Sequence, residues 1–216
     1  MKLPAVEFAL HEVYAAELRG HAIMLIWLGY RRLDPSSLAK ADEDEITGVL
    51  VREMQSVSED PASPEWVEQC EVHEQTRQNV EGKSGKGRPI IDLEVRRHHR
   101  GSPKRIRFEA KRLGRGRHTI AAYLGDEGLA AFVTGHYPTT HGEAGMLGYF
   151  QEKTQDEWSN DLAQKLSDES SKHQVTPNGQ LEPIDIEPAM PAFRSCHTDT
   201  NGRPLLLIHV LLAFIP

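Results

Sequence analysis

The sequence predicts an α/β fold in which a central mixed sheet of about four strands is flanked by helices. Three observations lead to this fold class. Apolar residues recur at helical spacing near the N-terminus, two short runs alternate apolar and polar residues, and the chain closes on an almost wholly apolar run. A length of 216 residues is sufficient for one globular domain with a buried core. We therefore expect a helical extension over residues 1–40 and an α/β domain over residues 41–216.

The first part of the chain carries three helical patterns. Apolar residues recur at three- and four-residue steps over residues 6–33, which predicts one long helix or two short ones. Asp42 or Asp44 can cap a second helix with an acidic first turn. The buried stripe expected for this second helix consists of Ile46, Val49, Leu50, Met54 and Val57. The spacing over residues 64–80 predicts a third helix.

The second part of the chain predicts strands and one helix. Residues 90–96 and 105–111 alternate apolar and polar side chains between glycine and proline residues, which is typical of paired strands. Residues 129–134 are a third strand candidate, and residues 152–166 have the composition of a helix. Residues 204–214 are almost wholly apolar, which predicts a strand that is buried on both faces.

Composition argues against a membrane-spanning or disulfide-based protein. No apolar run reaches the length of about 20 residues that a membrane-spanning helix needs. Acidic residues interrupt the N-terminus where a secretory signal would be apolar, so we expect a cytoplasmic protein. Cys70 and Cys196 lie far apart and are expected to be reduced thiols. His209 interrupts the last apolar run, and we expect a buried histidine satisfied by a hydrogen bond, with a ligand role as the alternative.

The formal net charge of −7 conceals a strongly basic segment. Residues 82–117 contain 13 Lys or Arg residues against three acidic ones, so this segment carries +10 and the rest of the chain −17. A basic segment of this kind can neutralise several phosphates of a nucleic acid. The alternative is a solvated basic hairpin that balances an acidic body. The candidate nucleic-acid contacts are Lys83, Lys86, Arg88, Arg96, Arg97, Arg112 and Arg115.

The two alternating runs of this segment predict a hairpin with a defined register. With its turn centred between Arg100 and Gly101, opposed residues have numbers that sum to 201. One face then carries three apolar pairs, and the other carries two charged pairs. The apolar pairs are Ile91–Ala110, Leu93–Phe108 and Val95–Ile106, and the charged pairs are Asp92–Glu109 and Glu94–Arg107.

The expected pairing of Asp92 with Glu109 suggests a metal site. Opposed residues in an antiparallel pair lie about 5.5 Å apart between Cα atoms, and like charges so placed destabilise a sheet. A divalent cation between the carboxylates removes the repulsion, and Lys111 lies on the same face. Such a group can polarise a phosphoryl oxygen and activate a water molecule, which is the chemistry of phosphodiester hydrolysis. The alternative is a surface ladder of charges that neutralise one another.

The same residues resemble a known nuclease superfamily. Asp92, followed 17 positions later by Glu109-Ala110-Lys111, is similar to the motif of the PD-(D/E)xK nucleases, which share a restriction-endonuclease-like α/β core. The resemblance implies that Asp92, Glu109 and the Ala110 carbonyl hold Mg²⁺ or Mn²⁺ and that Lys111 assists the attacking water. One detail departs from the motif, because Pro89 precedes Asp92 by three residues rather than one.

Many members of the superfamily add an acidic residue from the first core helix. Here the candidates are Glu45 and Glu53, and we favour Glu45 as a further catalytic and metal-binding residue. The alternative is an acid that complements the helix dipole. Residues 132–151 also resemble a segment of some bacterial defence-associated nucleases of this superfamily.

The sequence thus predicts a Mg²⁺-dependent endodeoxyribonuclease, with a role in restriction or anti-phage defence implied by the resemblance. A homodimer is expected, because cutting both strands of DNA commonly needs two sites. Two alternatives remain open. One is a nuclease-like fold that binds nucleic acid without cleaving it, and the other is an accessory subunit that a partner protein activates.

Overall fold

The computed structural model describes residues 5–80, 82–98, 104–139, 141–186 and 190–216. The α-helices of these ranges are α1 (Ala5–Tyr30), α2 (Glu43–Ser58), α3 (Ile120–Tyr123), α4 (Leu129–Val133) and α5 (Gln155–Asp168). Short 3-10 helices span Pro35–Leu38, Glu65–Gln69 and Gly85–Gly87. The strands are β1 (Cys70–Arg77), β2 (Ile90–Arg97), β3 (Lys104–Leu113), β4 (Glu143–Phe150), β5 (Glu182–Pro183), β6 (Ala192–Thr198) and β7 (Pro204–Ala213).

The strands form one mixed sheet in the order β1-β2-β3-β4-β7-β6-β5. Strands β3, β4 and β7 are parallel neighbours, and the pairs toward both edges are antiparallel. The predicted α/β class with a mixed sheet is confirmed. The expected number of about four strands is wrong, because the described residues build seven. Strand β7 lies between β4 and β6 and is largely buried, as its apolar sequence predicts.

Helices α1 and α2 cover one face of the sheet. Leu18, Ala22 and Ile26 of α1 belong to one apolar cluster with the α2 stripe and with side chains of β2 and β3. The two helices approach closely at Gly29, where an added Cβ would lie 2.5 Å from the Cγ of Met54. The Asp42 carboxylate caps α2 by accepting the Glu45 N–H, so one of the two proposed caps is confirmed. Of the predicted stripe, Val49 is the member that stays half-buried.

A second apolar cluster covers the other face and joins α3, α4 and α5 to β4 and β7. Alternate residues of β4 supply both clusters, since Leu147 and Tyr149 pack with α1 and α2, and Ala144 and Met146 pack with the second cluster. The described residues therefore build three layers, with the sheet in the middle. No helix among them is both long enough and apolar enough to cross a membrane.

Two predicted elements are wrong. The helix expected over residues 64–80 is a 3-10 turn over Glu65–Gln69 followed by β1. In β1, Cys70 and Val72 are buried and their neighbours are more exposed, but the helical spacing of the apolar residues concealed this alternation. The strand expected over residues 129–134 is the helix α4. Its Leu, Ala, Phe and Val side chains form a short apolar run, and such runs have no periodicity that separates a strand from a buried helix.

A chain of hydrogen bonds crosses the second cluster. The Nδ1 of His209 lies 3.0 Å from the Tyr123 hydroxyl, and its Nε2 lies 2.8 Å from the Ser195 Oγ. Ser195 also contacts the Nε2 of His197, whose Nδ1 donates to the His173 carbonyl. Burial lowers the pKa of His197 and His209, so both imidazoles are neutral at neutral pH. Because the His173 carbonyl only accepts, each remaining bond of the chain then takes one direction. The expectation that His209 is buried and hydrogen-bonded is confirmed.

The β2–β3 hairpin forms three of the five predicted pairs. Leu93 pairs with Phe108, Glu94 with Arg107 and Val95 with Ile106, so the numbers of each pair sum to 201. The centre of the expected turn, at Arg100 and Gly101, lies outside the described residues. The predicted pairs Asp92–Glu109 and Ile91–Ala110 are wrong, because the β2–β3 ladder ends at Leu93–Phe108 and Ile91 packs in the second cluster instead. Pairing with β4, on the other edge of β3, begins at Phe108, and the site described next lies in this part of β3.

Candidate active site

The two faces of the β2–β3 hairpin have opposite character. The side chains of Leu93, Val95, Ile106 and Phe108 pack against α1 and α2. The alternate residues point to the other face, where Glu94 contacts Arg107 and Lys111 contacts Glu109. The loop of residues 134–139 lies over this polar face, because Arg107 donates to the Pro138 carbonyl at 2.6 Å.

Asp92 stands at the position where the β2–β3 ladder ends. Its Oδ2 accepts a hydrogen bond of 2.8 Å from the Ala110 N–H, so a carboxylate takes the place of a backbone partner. Burial raises the pKa of Asp92 above its ordinary value and outweighs the hydrogen bond from Ala110 and the charge of Lys111, which both lower it. The side chain thus links β2 to the segment of β3 that carries Glu109 and Lys111.

Glu109 is the most unusual group of the cluster. It is 4% exposed, and its Oε1 accepts a 2.9 Å bond from Lys111. Its Oε2 is buried and has no hydrogen-bond partner among the described residues. Burial, followed by the negative charge of Asp92, raises the pKa of Glu109 to about 8. A buried carboxylate oxygen without a donor is costly unless another group satisfies it.

Lys111 lies between two carboxylates. Its Nζ is 2.9 Å from Glu109 Oε1 and 3.1 Å from Glu43 Oε1. Burial alone would lower its pKa, but the charges of Glu109 and Glu43 outweigh that effect and raise the pKa above its ordinary value. The ammonium therefore keeps its proton at neutral pH.

The helix acid that the structure brings to this cluster is Glu43. Its Oε2 accepts the Arg112 N–H at 2.8 Å, and its Oε1 binds Lys111. The Glu45 side chain is exposed at the N-terminal end of α2. Two residues rotate a helix by about 200°, so these two side chains leave α2 in nearly opposite directions. Sequence analysis compared Glu45 with Glu53 and missed Glu43, although Glu43 directly follows the cap Asp42.

Tyr137 is a second residue that the sequence analysis missed. It belongs to the loop over the polar face and is 9% exposed. Burial is the first cause that raises its pKa, and the negative charge of Glu109 adds to it. The hydroxyl thus keeps its proton beside the carboxylates. No sequence signal pointed to Tyr137, because its place over β3 depends on the packing of a loop.

The candidate nucleic-acid contacts do not form one patch. Arg96 hydrogen-bonds Glu94 on the polar face, whereas Arg97 contacts Glu17 of α1 on the opposite side of β2. The others occupy the two loops that flank the hairpin and the end of β3. Lys83 contacts His136, Arg88 contacts Asn79, Arg112 contacts His118 and the Ala41 carbonyl, Arg115 contacts Glu152, and Lys86 is exposed.

The donors of this cluster fit a hard divalent cation. Mg²⁺ commonly binds through one or two carboxylates, with waters completing an octahedron. Asp92 and the unpartnered oxygen of Glu109 supply two carboxylates, and Ala110 lies between Glu109 and Lys111. In the described residues as arranged, no three side chains of His, Cys, Asp or Glu converge on a metal position. A cation there would take its remaining ligands from the backbone and from water.

Comparison with protein-family models, with curated proteins and with solved structures finds no match for this chain.

Proposed function

We propose that the protein is a metal-dependent nuclease of the PD-(D/E)xK type that hydrolyses phosphodiester bonds of DNA. The observation that carries the proposal is the buried, unpartnered Oε2 of Glu109 beside the carboxylate of Asp92. A cation bound by both carboxylates satisfies the oxygen and removes the repulsion between them. The motif spacing and the mixed α/β sheet agree with a restriction-endonuclease-like core.

Each residue of the cluster has a defined role in this proposal. Asp92, Glu109 and the Ala110 carbonyl would hold Mg²⁺ or Mn²⁺, which supplies Lewis-acid activation of phosphate and water. Lys111, which keeps its proton, would orient the attacking water or stabilise negative charge on the phosphoryl oxygens. Glu43 positions Lys111 through its Oε1 and anchors β3 through the Arg112 N–H. We therefore assign the helix position to Glu43 rather than Glu45.

A second candidate function is a nucleic-acid-binding subunit without turnover. It is favoured by the ion pairs of Lys111 with both Glu43 and Glu109, which neutralise part of the acidic charge without a metal ion. In this case the carboxylates stabilise the hairpin, and the basic loops bind the phosphate backbone. Activity could then depend on a partner protein.

A cleavage assay separates the two candidates. Supercoiled DNA, linear DNA and RNA are incubated with the protein in Mg²⁺, Mn²⁺ or EDTA. We expect metal-dependent cleavage of DNA that is abolished in Glu109→Gln, a substitution that keeps the shape of the side chain and removes its charge. The matched control is Glu182→Gln, because Glu182 is an exposed glutamate paired with Arg194 on β5 and β6.

Two outcomes would overturn the proposal. Cleavage that Glu109→Gln retains at the wild-type rate would show that a different group, or a contaminant, cuts the DNA. Binding of DNA without cleavage in any metal would favour the non-catalytic subunit.

A further inference from the structure

Two arginines stand directly opposite each other on the polar face of the hairpin. Arg96 of β2 is the register partner of Arg105 of β3. Like charges directly opposed destabilise an antiparallel pair, so an anion placed between these arginines stabilises the arrangement. Both arginines reach solvent, with side chains 26% and 33% exposed.

One buried glutamate partly neutralises this pair. Glu94 is fully buried and contacts Arg96, Arg107 at 2.9 Å and Arg105 at 3.9 Å. This single carboxylate contacts three guanidinium groups, and the exposed Glu71 of β1 is the register partner of Arg96 on the other edge of β2. The Arg107 side chain is only 9% exposed and also donates to the Pro138 carbonyl, so its position is fixed. The cluster is therefore a rigid cationic platform with two arginines facing outward.

The platform lies in line with the candidate active site. Asp92, Glu94 and Arg96 alternate along β2, so their side chains share one face. The covering loop contacts both clusters with adjacent residues, since the Pro138 carbonyl accepts from Arg107 and Tyr137 lies near Glu109. Four residues of strand separate Asp92 from Arg96, which corresponds to about 13 Å. The rise of B-DNA along its axis is 3.4 Å per nucleotide, but adjacent phosphates of one strand lie about 7 Å apart through space, so about two nucleotides span this distance.

We propose that Arg96 and Arg105 form a phosphate subsite that binds the backbone of duplex DNA about two nucleotides from the scissile phosphate. The distance rests on the proposed nuclease function, whereas the binding of phosphate does not. Guanidinium groups suit this role because their planar donors match the geometry of phosphate oxygens. Glu94 and Arg107 hold the two arginines in place before DNA binds.

The first test measures binding without turnover. A labelled 30-base-pair duplex is titrated in EDTA over a series of salt concentrations with Arg96→Gln/Arg105→Gln. Each lost phosphate contact lowers the slope of log K against log salt by about 0.9, so we expect a loss of about 1.8. The matched control is Arg194→Gln/Arg203→Gln, which removes two exposed arginines that also pair with single carboxylates. An unchanged slope in the Arg96/Arg105 variant, or an equal loss in the control, would overturn the subsite.

The second test locates the subsite relative to cleavage. Duplexes that extend from about one to about ten base pairs beyond the cleaved bond are compared, with each end shortened in turn. We expect the variant to raise KM about tenfold on long duplexes and to match the wild type on duplexes that end within about two base pairs of the cleaved bond on one side. A KM difference that persists at every length would contradict the proposed position.

The two tests separate this inference from the proposed function. A loss of salt slope without any cleavage would support the subsite and refute the nuclease. Cleavage with an unchanged salt slope would support the nuclease and refute the subsite. A loss of slope that is larger on duplex RNA than on DNA would contradict DNA as the occupant.

Discussion

Two buried glutamates on the same face of the β2–β3 hairpin have opposite electrostatics. Glu94 is 0% exposed and Glu109 is 4% exposed, so burial is nearly the same for both. Burial opposes ionisation of Glu94, but the hydrogen bonds of Arg96 and Arg107 outweigh it and lower its pKa. At Glu109, burial and the charge of Asp92 together raise the pKa to about 8, although Lys111 is in contact.

The difference between them lies in the balance of charged partners. Glu94 shares its two oxygens among three arginines, whereas Glu109 and its neighbours Asp92 and Glu43 share one lysine. A buried carboxylate with sufficient donors contributes to structure. A group of carboxylates with too few donors and cations for its charge is a candidate for binding an ion that is brought from outside.

The largest expected effect comes from removing Glu94, the glutamate whose oxygens have enough donors. Glu94→Ala leaves the buried Arg107 guanidinium without its carboxylate, and loss of one partner of a buried pair costs about 3–5 kcal/mol. Urea unfolding should show this decrease in the free energy of unfolding. Glu182→Ala is the control, because exposed ion pairs contribute at most about 1 kcal/mol. Equal effects of the two substitutions would refute the structural role of Glu94.

A second prediction extends the comparison to buried groups that are neutral. Burial lowers the pKa of His209 to about 3 and that of His197 to about 4. An unfolded histidine titrates at 6.5, so below pH 6.5 the unfolded chain binds more protons than the folded one. The free energy of unfolding therefore decreases as the pH is lowered. We expect a loss of about 2 kcal/mol between pH 7 and pH 5.5.

The control for this pH dependence is His209→Gln, which keeps a hydrogen-bonding side chain and does not titrate. Urea midpoints of this variant should depend less steeply on pH than those of the wild type over the same range. Identical pH profiles would show that other groups cause the acid instability.

A third and smaller effect tests whether Glu43 or Glu45 is the helix acid of the candidate active site. Glu43→Gln retains an oxygen for the Arg112 N–H and removes the charge that holds Lys111. We expect kcat for DNA cleavage to fall about tenfold, equivalent to about 1.4 kcal/mol, with KM unchanged. Glu45→Gln should leave both constants within about twofold. The opposite order of effects would return the role to Glu45.

The hairpin shows how far sequence alone can lead. Three of its pairs were predictable because two faces had to be satisfied at once, whereas the end of the ladder at Leu93–Phe108 had no sequence signal. The choice between Glu43 and Glu45 could not be predicted from the sequence, because it depends on the rotation of α2 about its axis relative to β3. The cover that residues 134–139 provide, with Tyr137 and Pro138, depends on tertiary packing in the same way. Strands β1, β4, β5 and β6 were missed. Strand β1 alternates, but its apolar residues also fit helical spacing, whereas β4 is buried along nearly its whole length and shows no alternation.

Thermal unfolding of the wild type and Glu109→Gln, at pH 9 in EDTA and in Mg²⁺, tests the central claim most directly. A carboxyl group whose folded pKa is raised contributes stability below its unfolded pKa, and that contribution is lost as pH rises through about 8. In EDTA the variant should therefore unfold at the higher temperature. In Mg²⁺ the wild type should gain stability and the variant should not. If Mg²⁺ shifts both proteins equally, or neither, Glu109 does not hold the metal ion.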